Sequence, residues 1–340
     1  MNIFELQPAA WNSLLSRQER LPHALLLIGQ KGLGKFQLAW EFAAYLLCES
    51  PEKSHKACGK CLACNWFEQG NHPDFRLLQP DALSAEAEIA EEGKKKPSQQ
   101  IVIEQIRALD EFLGVGSHRN GLSIVLLNPA EAMNKNAANA ILKTLEEPRP
   151  NTLFLLISSE PSRLLPTIRS RCQSIPVALP SSALASRVLS DAGVQHPERW
   201  LALAGGSPRL ASELAASSHG AWIDKLIGKL LHGADSDPLI AAGDIDKLLK
   251  DSKGRVQLRH VIEACQKWLV DLTLNKNGQP VRYFLEHQSK MKGLTDMIPA
   301  TRLISLYRTL NRQRLEAEQP LNSRLFLEGV FLEYKALFNR

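Results

Sequence analysis

Two short apolar runs with a helix-patterned segment between them constrain the fold of this 340-residue chain most strongly. The runs 124–127 and 153–157 have the length and the leucine and β-branched content of buried strands. Between them, residues 136–147 carry apolar side chains at helical spacing, and Pro148 ends the pattern. A strand, a helix and a strand in immediate succession form a βαβ unit, so we predict that the two strands are parallel neighbours.

Composition narrows the class of protein. A hydrophobic content of 44% and a charged content of 23% are ordinary for a soluble globular chain, and a net charge of +5 permits contact with nucleic acid phosphates without requiring it. No apolar run approaches the roughly 20 residues that cross a bilayer, and the first seven residues lack the pattern of a signal peptide. We therefore expect no membrane partner and a cytoplasmic location, where cysteines bind metal or stay as free thiols.

A second strand–loop–helix pattern lies near the N-terminus. A predicted strand over 25–28 is followed by a glycine-rich turn, and a helix is predicted over 37–47. Gly29, Gly34 and Lys35 match the GxxxxGK part of a phosphate-binding loop, in which backbone N–H groups and the lysine hold phosphate oxygens. The alternative to phosphate binding is that these residues only form a tight turn between the strand and the helix, which the fold requires.

The chain lacks two of the side-chain ligands that a magnesium site of this type needs. Phe36 stands where a Ser or Thr hydroxyl would coordinate Mg²⁺, and Asn128 follows the 124–127 strand where an acidic residue is needed. Glu131 lies three residues further on, but we do not expect it to restore a site that has already lost its hydroxyl ligand. We expect no ATP hydrolysis by this chain, and these residues leave nucleotide binding open.

Four cysteines have the spacing of a tetrahedral metal site. They are Cys48, Cys58, Cys61 and Cys64. Four sulfur ligands with no open position predict a structural zinc that holds a small module over about 48–67. Free thiols on a loop and a helix are the alternative, and His55 or His72 could replace one sulfur.

Other segments of the first half have weaker patterns. A helix is predicted over 11–20, a short strand over 72–78, a return to the sheet at 101–103 and a helix over 104–113. The segment 81–100, rich in Glu and Lys and poor in large apolar residues, is predicted to be a solvated, flexible loop.

A short helix after the 153–157 strand is predicted over 162–168. Beyond Pro180 the apolar spacing is helical. Three further short helices are predicted at 183–191, 197–203 and 208–216. Longer helices are predicted at 222–231, 244–250, 256–274, 301–317 and 323–338. This C-terminal part shows no catalytic constellation.

The central block resembles the bacterial clamp-loader branch of the AAA+ proteins. The resemblance rests on the helix sequence AANAILKTLEEP and on the Ser-Arg-Cys motif at 170–172, and the cysteine module and the segment 320–328 resemble the same family. It implies an α/β AAA+ fold, with a RecA-like parallel sheet, a P-loop-type turn and a zinc insertion in residues 1–178. A three-helix lid over 179–216 and an all-α collar or oligomerisation domain over 217–340 would follow.

The resemblance also implies a role for Arg171. In this family the arginine of the Ser-Arg-Cys motif points at the ATP of the neighbouring subunit, where a permanently charged guanidinium stabilises the negative charge of phosphoryl transfer. Arg171 is thus the candidate catalytic residue, acting in trans, with Arg169 as a support. A surface arginine that pairs with Glu160 is the structural alternative.

Two weaker sites follow from the same resemblance. Arg209 opens the last lid helix, where active relatives contact nucleotide, although it could equally be a helix-start residue. Ser158 and Ser159 end the 153–157 strand, where relatives keep a phosphate-sensing residue, and a turn explains them as well.

The resemblance implies a non-catalytic subunit of the DNA polymerase III clamp loader, accessory to a DNA-directed DNA polymerase, which is a nucleotidyltransferase. Its expected partners are the ATPase subunits (gamma or tau), the delta subunit, the sliding clamp and, through the complex, primer-template DNA. An active gamma- or tau-type ATPase subunit is the alternative, and Phe36 and Asn128 count against it. A zinc-dependent nucleic-acid-binding module is a third hypothesis, with Lys60, Trp66 and Phe67 beside the cysteines.

Overall fold

The computed structural model describes residues 2–83, 97–114, 116, 121–216, 220–252, 256–317, 319 and 321–339. The chain divides into two compact units, Met1–Pro180 and Ser181–Arg340. The predicted division of the second unit into a lid and a collar stays a prediction. The predicted loop over 81–100 lies largely outside the described residues.

The first unit alternates strands and helices. Its helices are α1 Ile3–Leu6, α2 Pro8–Leu15, α3 Lys35–Leu47, α4 Leu62–Glu68, α5 Ile103–Gly114, α6 Lys135–Glu146 and α7 Pro166–Arg171. Its strands are β1 Ala24–Ile28, β2 Phe75–Leu78, β3 Ser123–Leu127, β4 Thr152–Ser158 and β5 Gln173–Pro176. The strands form one five-stranded sheet in the order β2-β3-β4-β1-β5, and every neighbouring pair is parallel.

The predicted βαβ unit is confirmed. β3 and β4 pair in parallel, with Ile124 opposite Leu153, and both strands are buried along their whole length. Successive side chains of a strand point to opposite faces, and a parallel sheet is covered on both. Accordingly Ile124 and Leu153 join the core on the α3 side, whereas Val125 and Phe154 join the core on the α6 side.

Helix α6 begins and ends where its sequence predicts, to within one residue. The Asn134 side chain caps it by accepting the Ala137 N–H at 2.8 Å. Ile141 and Leu145 are buried against the sheet, and Pro148 follows the helix. The end of α6 therefore lies near the edge of the sheet where β4 begins at Thr152.

Three predictions for the first unit are wrong in detail. The helix predicted over 11–20 ends at Leu15, and a separate 3-10 turn covers Gln18–Arg20. Ile101 makes only an isolated bridge to Met133, and α5 begins at Ile103, so no strand forms at 101–103. The helix predicted over 162–168 is a 3-10 turn followed by α7, because Pro166 starts a new helix that contains Arg171.

All regular elements among the described residues of the second unit are helices. Its helices are α8 Ser182–Asp191, α9 Pro197–Leu203, α10 Pro208–Ala215, α11 Gly220–Leu231, α12 Pro238–Asp251, α13 Leu258–Lys276, α14 Gln288–Met297, α15 Ala300–Glu316 and α16 Ser323–Ala336. The core is tied together by Trp268, whose indole N–H donates to the Tyr334 hydroxyl at 3.0 Å, and that hydroxyl donates to the Leu230 carbonyl at 2.8 Å. The sequence gives no sign of α14, because most of its ten side chains are polar.

The fold class predicted from the sequence is confirmed. A parallel sheet carries a P-loop-type turn between β1 and α3, four cysteines cluster after α3, and the C-terminal region is mostly helical. Among the described residues, none of the helices combines the length and the hydropathy that crossing a bilayer requires.

Candidate functional site

The carboxyl ends of three neighbouring strands converge at one edge of the sheet. In an open parallel sheet this is the edge where ligand sites form. β1 ends at Ile28 beside Ser158 of β4, and β3 lies on the far side of β4. The glycine loop, Ser159 and Glu131 follow these strand ends, so the structure brings the predicted loop residues together with two side chains to which the sequence analysis gave only a weak or doubtful role.

The loop glycines are required by the packing of this chain. A Cβ at Gly29 would lie 2.4 Å from the Val177 carbonyl oxygen. A Cβ at Gly34, whose φ is +78°, would lie 2.4 Å from the Ile3 Cδ1 atom. Both glycines therefore have a folding reason that is independent of phosphate.

The amine of Lys35 is bound by the loop itself. Its Nζ donates to the carbonyl oxygens of Gly29 at 2.8 Å and Gln30 at 2.7 Å, and to Ser159 Oγ at 3.0 Å. An ammonium group has three N–H donors, and these three acceptors use all of them. Burial lowers the pKa of Lys35 to about 8, and the Glu131 carboxylate opposes that change. A phosphate could reach this lysine only by displacing the contacts it already has.

Glu131 lies nearer the site than its place in the sequence suggests. Its Oε1 accepts the backbone N–H of Ser159 at 2.9 Å, and its charge acts on Lys35. Its Oε2 is buried and has no hydrogen-bond partner among the described residues. A negative carboxylate beside Lys35 compensates the buried ammonium and repels phosphate.

The Phe36 ring belongs to an aromatic cluster. It lies 5.6 Å from the Trp40 ring, and Trp40 in turn lies 4.6 Å from Phe67 and 5.4 Å from Phe75. These rings fill the side of α3 that faces α4 and β2. The position where a hydroxyl would bind Mg²⁺ is therefore apolar and connected to the cysteine module.

The N-terminal segment covers the loop from outside. Ile3 and Gln7 are only 2% and 4% exposed. The Gln7 amide donates to the carbonyl oxygens of Leu33 at 3.3 Å and Ala178 at 3.0 Å. This segment, which the sequence did not connect to the site, holds the loop between α1 and the residues after β5.

The four cysteines converge as their spacing predicts. Their sulfur atoms all lie within 4.8 Å of one another, and the pairs Cys48–Cys61 and Cys58–Cys64 are each 3.9 Å apart. A zinc ion held by four sulfurs at 2.3 Å places those sulfurs about 3.8 Å apart. The residues present therefore fit a tetrahedral zinc.

Backbone donors support the cysteine cluster. The N–H groups of Cys58, Cys61 and Cys64 donate to cysteine sulfurs at 3.3–3.4 Å. The N–H of Lys60 and the hydroxyl of Ser50 lower the pKa of Cys58 to about 6, which favours the thiolate form that a metal binds. His55 instead pairs with the Tyr45 hydroxyl at 3.0 Å, and neither it nor His72 belongs to the cluster.

Arg171 is the last residue of α7 and is partly exposed. Its Nη1 donates to the Thr167 carbonyl at 2.9 Å, and its Nη2 lies 2.5 Å from Glu146 Oε1 at the end of α6. The pairing with Glu160 considered from the sequence is wrong, because Glu160 pairs with Arg163 at 3.7 Å. Neighbouring Arg169 is exposed.

With this geometry established, the comparisons with known proteins decide the family. The family model described as DNA polymerase III, delta subunit, matches residues 6–180. The DNA polymerase III subunit delta' of Pseudomonas aeruginosa is 36% identical over 99% of this chain and 98% of its own length. The chain belongs to the DNA polymerase III delta-prime family.

Further relatives agree with this assignment over shorter spans. The delta-prime subunit of Bacillus subtilis is 38% identical over 58% of this chain and 56% of its own length. That of Escherichia coli is 36% identical over 56% of this chain and 54% of its own length. A solved structure of a gamma subunit-related protein from Thermotoga maritima covers 97% of this chain and 100% of its own, at 18% identity and a TM-score of 0.49, values too low to support a conclusion.

The part matched by that family model contains the glycine loop, the cysteine cluster and Arg171. Arg209 lies outside it, on α10, where its Nε pairs with Glu213 at 3.1 Å and its side chain is 59% exposed. That pairing within one helix is sufficient to explain Arg209 as a residue of the helix surface.

Proposed function

We propose that the chain is a subunit of the DNA polymerase III clamp loader that does not hydrolyse ATP and that presents Arg171 to the ATP of a neighbouring ATPase subunit. Membership of the delta-prime family supports the clamp-loader role. The partners in this proposal are gamma- or tau-type ATPase subunits, the delta subunit and the sliding clamp, with primer-template DNA reached through the complex. A cytoplasmic location is part of it, because such a complex works where the chromosome lies.

The observation that best supports the absence of ATP hydrolysis is that all three N–H donors of the Lys35 ammonium already have acceptors within the chain. Its three hydrogen bonds end on the loop itself and on Ser159, so the loop is stable without phosphate. Phe36 adds an apolar ring where Mg²⁺ needs a hydroxyl, and Asn128 replaces the acid. Because nucleotide binding would have to break the Lys35 contacts, we propose that this site is structural.

The exposed end of α7 supports the finger role. Arg171 is 32% exposed at a helix end, so its charge is available to a partner. An arginine supplied in trans stabilises the charge on the γ-phosphate oxygens and is worth about 10³–10⁵ in rate where it has been measured. Among the described residues, the guanidinium donates one hydrogen bond, to Thr167, and forms one ion pair, with Glu146, which leaves N–H groups for phosphate oxygens.

Zinc completes the proposal as a structural ion. Cys48, Cys58, Cys61 and Cys64 would hold it, joining the end of α3 to α4. A separate nucleic-acid-binding role for this module is not supported, because Phe67, which would have to stack on a base, is 3% exposed and packs on Trp40.

One observation favours the active-ATPase alternative. The Glu131 carboxylate lies beside Lys35 with one buried oxygen that has no hydrogen-bond partner among the described residues, and such an oxygen could bind Mg²⁺. The two functions differ in a simple measurement, which is ATP turnover by the purified chain with Mg²⁺. Turnover at the rate of an ordinary clamp-loader ATPase would replace the proposal by this alternative.

The finger role is tested in a complex reconstituted with its ATPase subunits. We expect Arg171→Ala to lower the DNA- and clamp-stimulated ATPase by at least about a hundredfold. Arg163→Ala, which removes an exposed arginine from the preceding turn, is the matched control and should leave the rate unchanged. Both variants must form the complex at the same concentration as the unmodified chain. A normal rate in an assembled Arg171→Ala complex would refute the finger role.

A further inference from the structure

Arg171 is held from two sides by its own chain. One contact comes from the Thr167 carbonyl within α7, and the other from Glu146, the last residue of α6. Both helices are anchored in the same core, where Leu145 and Ile168 are 1% and 0% exposed. The carboxylate and the guanidinium therefore project from two fixed helix ends, and their approach is not an accident of two mobile side chains.

The two contacts leave part of the guanidinium available. A guanidinium has five N–H donors in a planar fork, and the described contacts are one hydrogen bond from Nη1 and an ion pair at Nη2. Among the described residues, the Nε–H makes no other contact and remains available. A phosphate oxygen can thus be bound along the free edge of the fork while Glu146 keeps its ion pair.

We propose that Glu146 is a positioning residue for Arg171, which fixes the guanidinium in the orientation that reaches a neighbour's phosphate. This inference rests on the proposed function and deepens it. An unrestrained arginine side chain loses conformational entropy when it binds the phosphate in the transition state. A contact that already holds the side chain in place lowers this entropy cost. The pair is partly exposed, so it restrains the side chain without immobilising it.

A carboxylate next to a cation has a second, opposite effect. Its negative charge offsets part of the attraction between Arg171 and phosphate, so removing it would strengthen that attraction if charge were its only role. Replacement by Gln separates the two effects. The Gln side-chain carbonyl keeps an acceptor beside the guanidinium, whereas Ala does not, and both remove the charge.

The kinetic experiment compares three variants in the reconstituted complex. We expect Glu146→Ala to lower kcat of the stimulated ATPase about three- to tenfold with KM for ATP unchanged, which corresponds to about 0.7–1.4 kcal/mol. Glu146→Gln should stay within about twofold of the unmodified chain. Glu147→Ala removes the adjacent exposed carboxylate and is the matched control, expected to change nothing. A rate for Glu146→Ala equal to or above the unmodified rate, or equal losses in Ala and Gln, would overturn the inference.

The free chain provides a readout that does not depend on ATP. We expect the Arg171 Nε–H signal in NMR to show greater picosecond-to-nanosecond mobility in Glu146→Ala than in the unmodified chain, and Glu146→Gln to restore the restraint. Unchanged mobility would overturn the positioning role.

Two outcomes distinguish this inference from the proposed function. If Arg171→Ala abolishes stimulation and Glu146→Ala does not alter it, the finger role stands and the positioning role fails. If Arg171→Ala has no effect, the finger role itself fails, and the positioning of Arg171 for catalysis fails with it. When both roles hold, the double variant has the rate of Arg171→Ala alone, because Glu146 acts only through Arg171.

Discussion

The amine of Lys35 donates a hydrogen bond to Ser159 Oγ at 3.0 Å, and this bond ties the phosphate loop after β1 to the end of β4. The same amine binds two carbonyl oxygens of its own loop. A residue type associated with nucleotide phosphate therefore serves as an internal crosslink in this chain, and the loop keeps its shape without a ligand.

Replacing Lys35 by Ala should destabilise the first unit. The change leaves the Gly29 and Gln30 carbonyls and Ser159 without their donor, and we expect the free energy of unfolding to fall by about 2 kcal/mol. Urea unfolding followed by circular dichroism measures this change. Lys31→Ala, at an exposed position of the same loop, is the control and should alter stability by less than about 0.5 kcal/mol. Equal stability of the two variants would contradict the crosslinking role.

The stability of the chain should rise with pH through Lys35. Burial lowers the pKa of Lys35 from 10.5 to about 8, so between these values the unfolded chain holds a proton that the folded chain has released. The unfolded state then binds more protons, and the free energy of unfolding increases with pH by at most about 1.4 kcal/mol per unit.

This pH effect is measured as the difference between the unmodified chain and Lys35→Ala, at a pH just below 8 and again above 9. We expect the advantage of the unmodified chain to grow across this interval. A constant or shrinking difference would show that the folded chain keeps Lys35 charged.

Zinc should be bound by the cysteine cluster and should stabilise the α4 module. We expect about one zinc per purified chain, and less than a tenth of that in Cys58→Ser. Helix α4 has only seven residues, too few to be stable alone, so its place depends on the cysteines and on the Phe67–Trp40 contact.

Elemental analysis gives the zinc content, and a melting experiment with a chelator gives its effect on stability. The melting temperature of the unmodified chain should fall with chelator, whereas that of Cys58→Ser should already be low and should not change. Cys172→Ser, outside the cluster, should keep its zinc. Purified chain with intact thiols and no zinc would eliminate the metal site.

Asp271 should be essential to the fold of the second unit. It is fully buried and accepts the backbone N–H groups of Arg282, Tyr283 and Phe284. Ala at this position would leave three donors without an acceptor, so we expect a loss of at least about 3 kcal/mol in the free energy of unfolding. Asp296→Ala, at an exposed position of α14, is the matched control. Comparable denaturation midpoints for the two variants would refute this role.

Local patterns were sufficient for the central elements. The apolar runs that became β3 and β4 and the helical spacing of α6 predict a parallel pair that the structure contains, because buried strands and helices need a continuous apolar surface. The cysteine spacing is similarly informative. Cys58, Cys61 and Cys64 are so close along the chain that a turn and one helix bring their sulfur atoms together. The failures occurred where local signals are weak, at residues 101–103, at α14 and at the proline that starts α7.

Motif spacing along the chain identified Gly29, Gly34, Lys35 and the four cysteines as the residues to consider, because spacing within a loop or helix places side chains relative to their own backbone. The resemblance to a known family added Arg171. The partners of these residues depend on how distant segments meet. Glu131 and Ser159 around Lys35, Ile3 above Gly34, and Glu146 beside Arg171 come from other elements of the fold. Only the packing of sheet and helices brings them within hydrogen-bond or van der Waals distance, and those short-range contacts decide whether a lysine binds phosphate or its own loop.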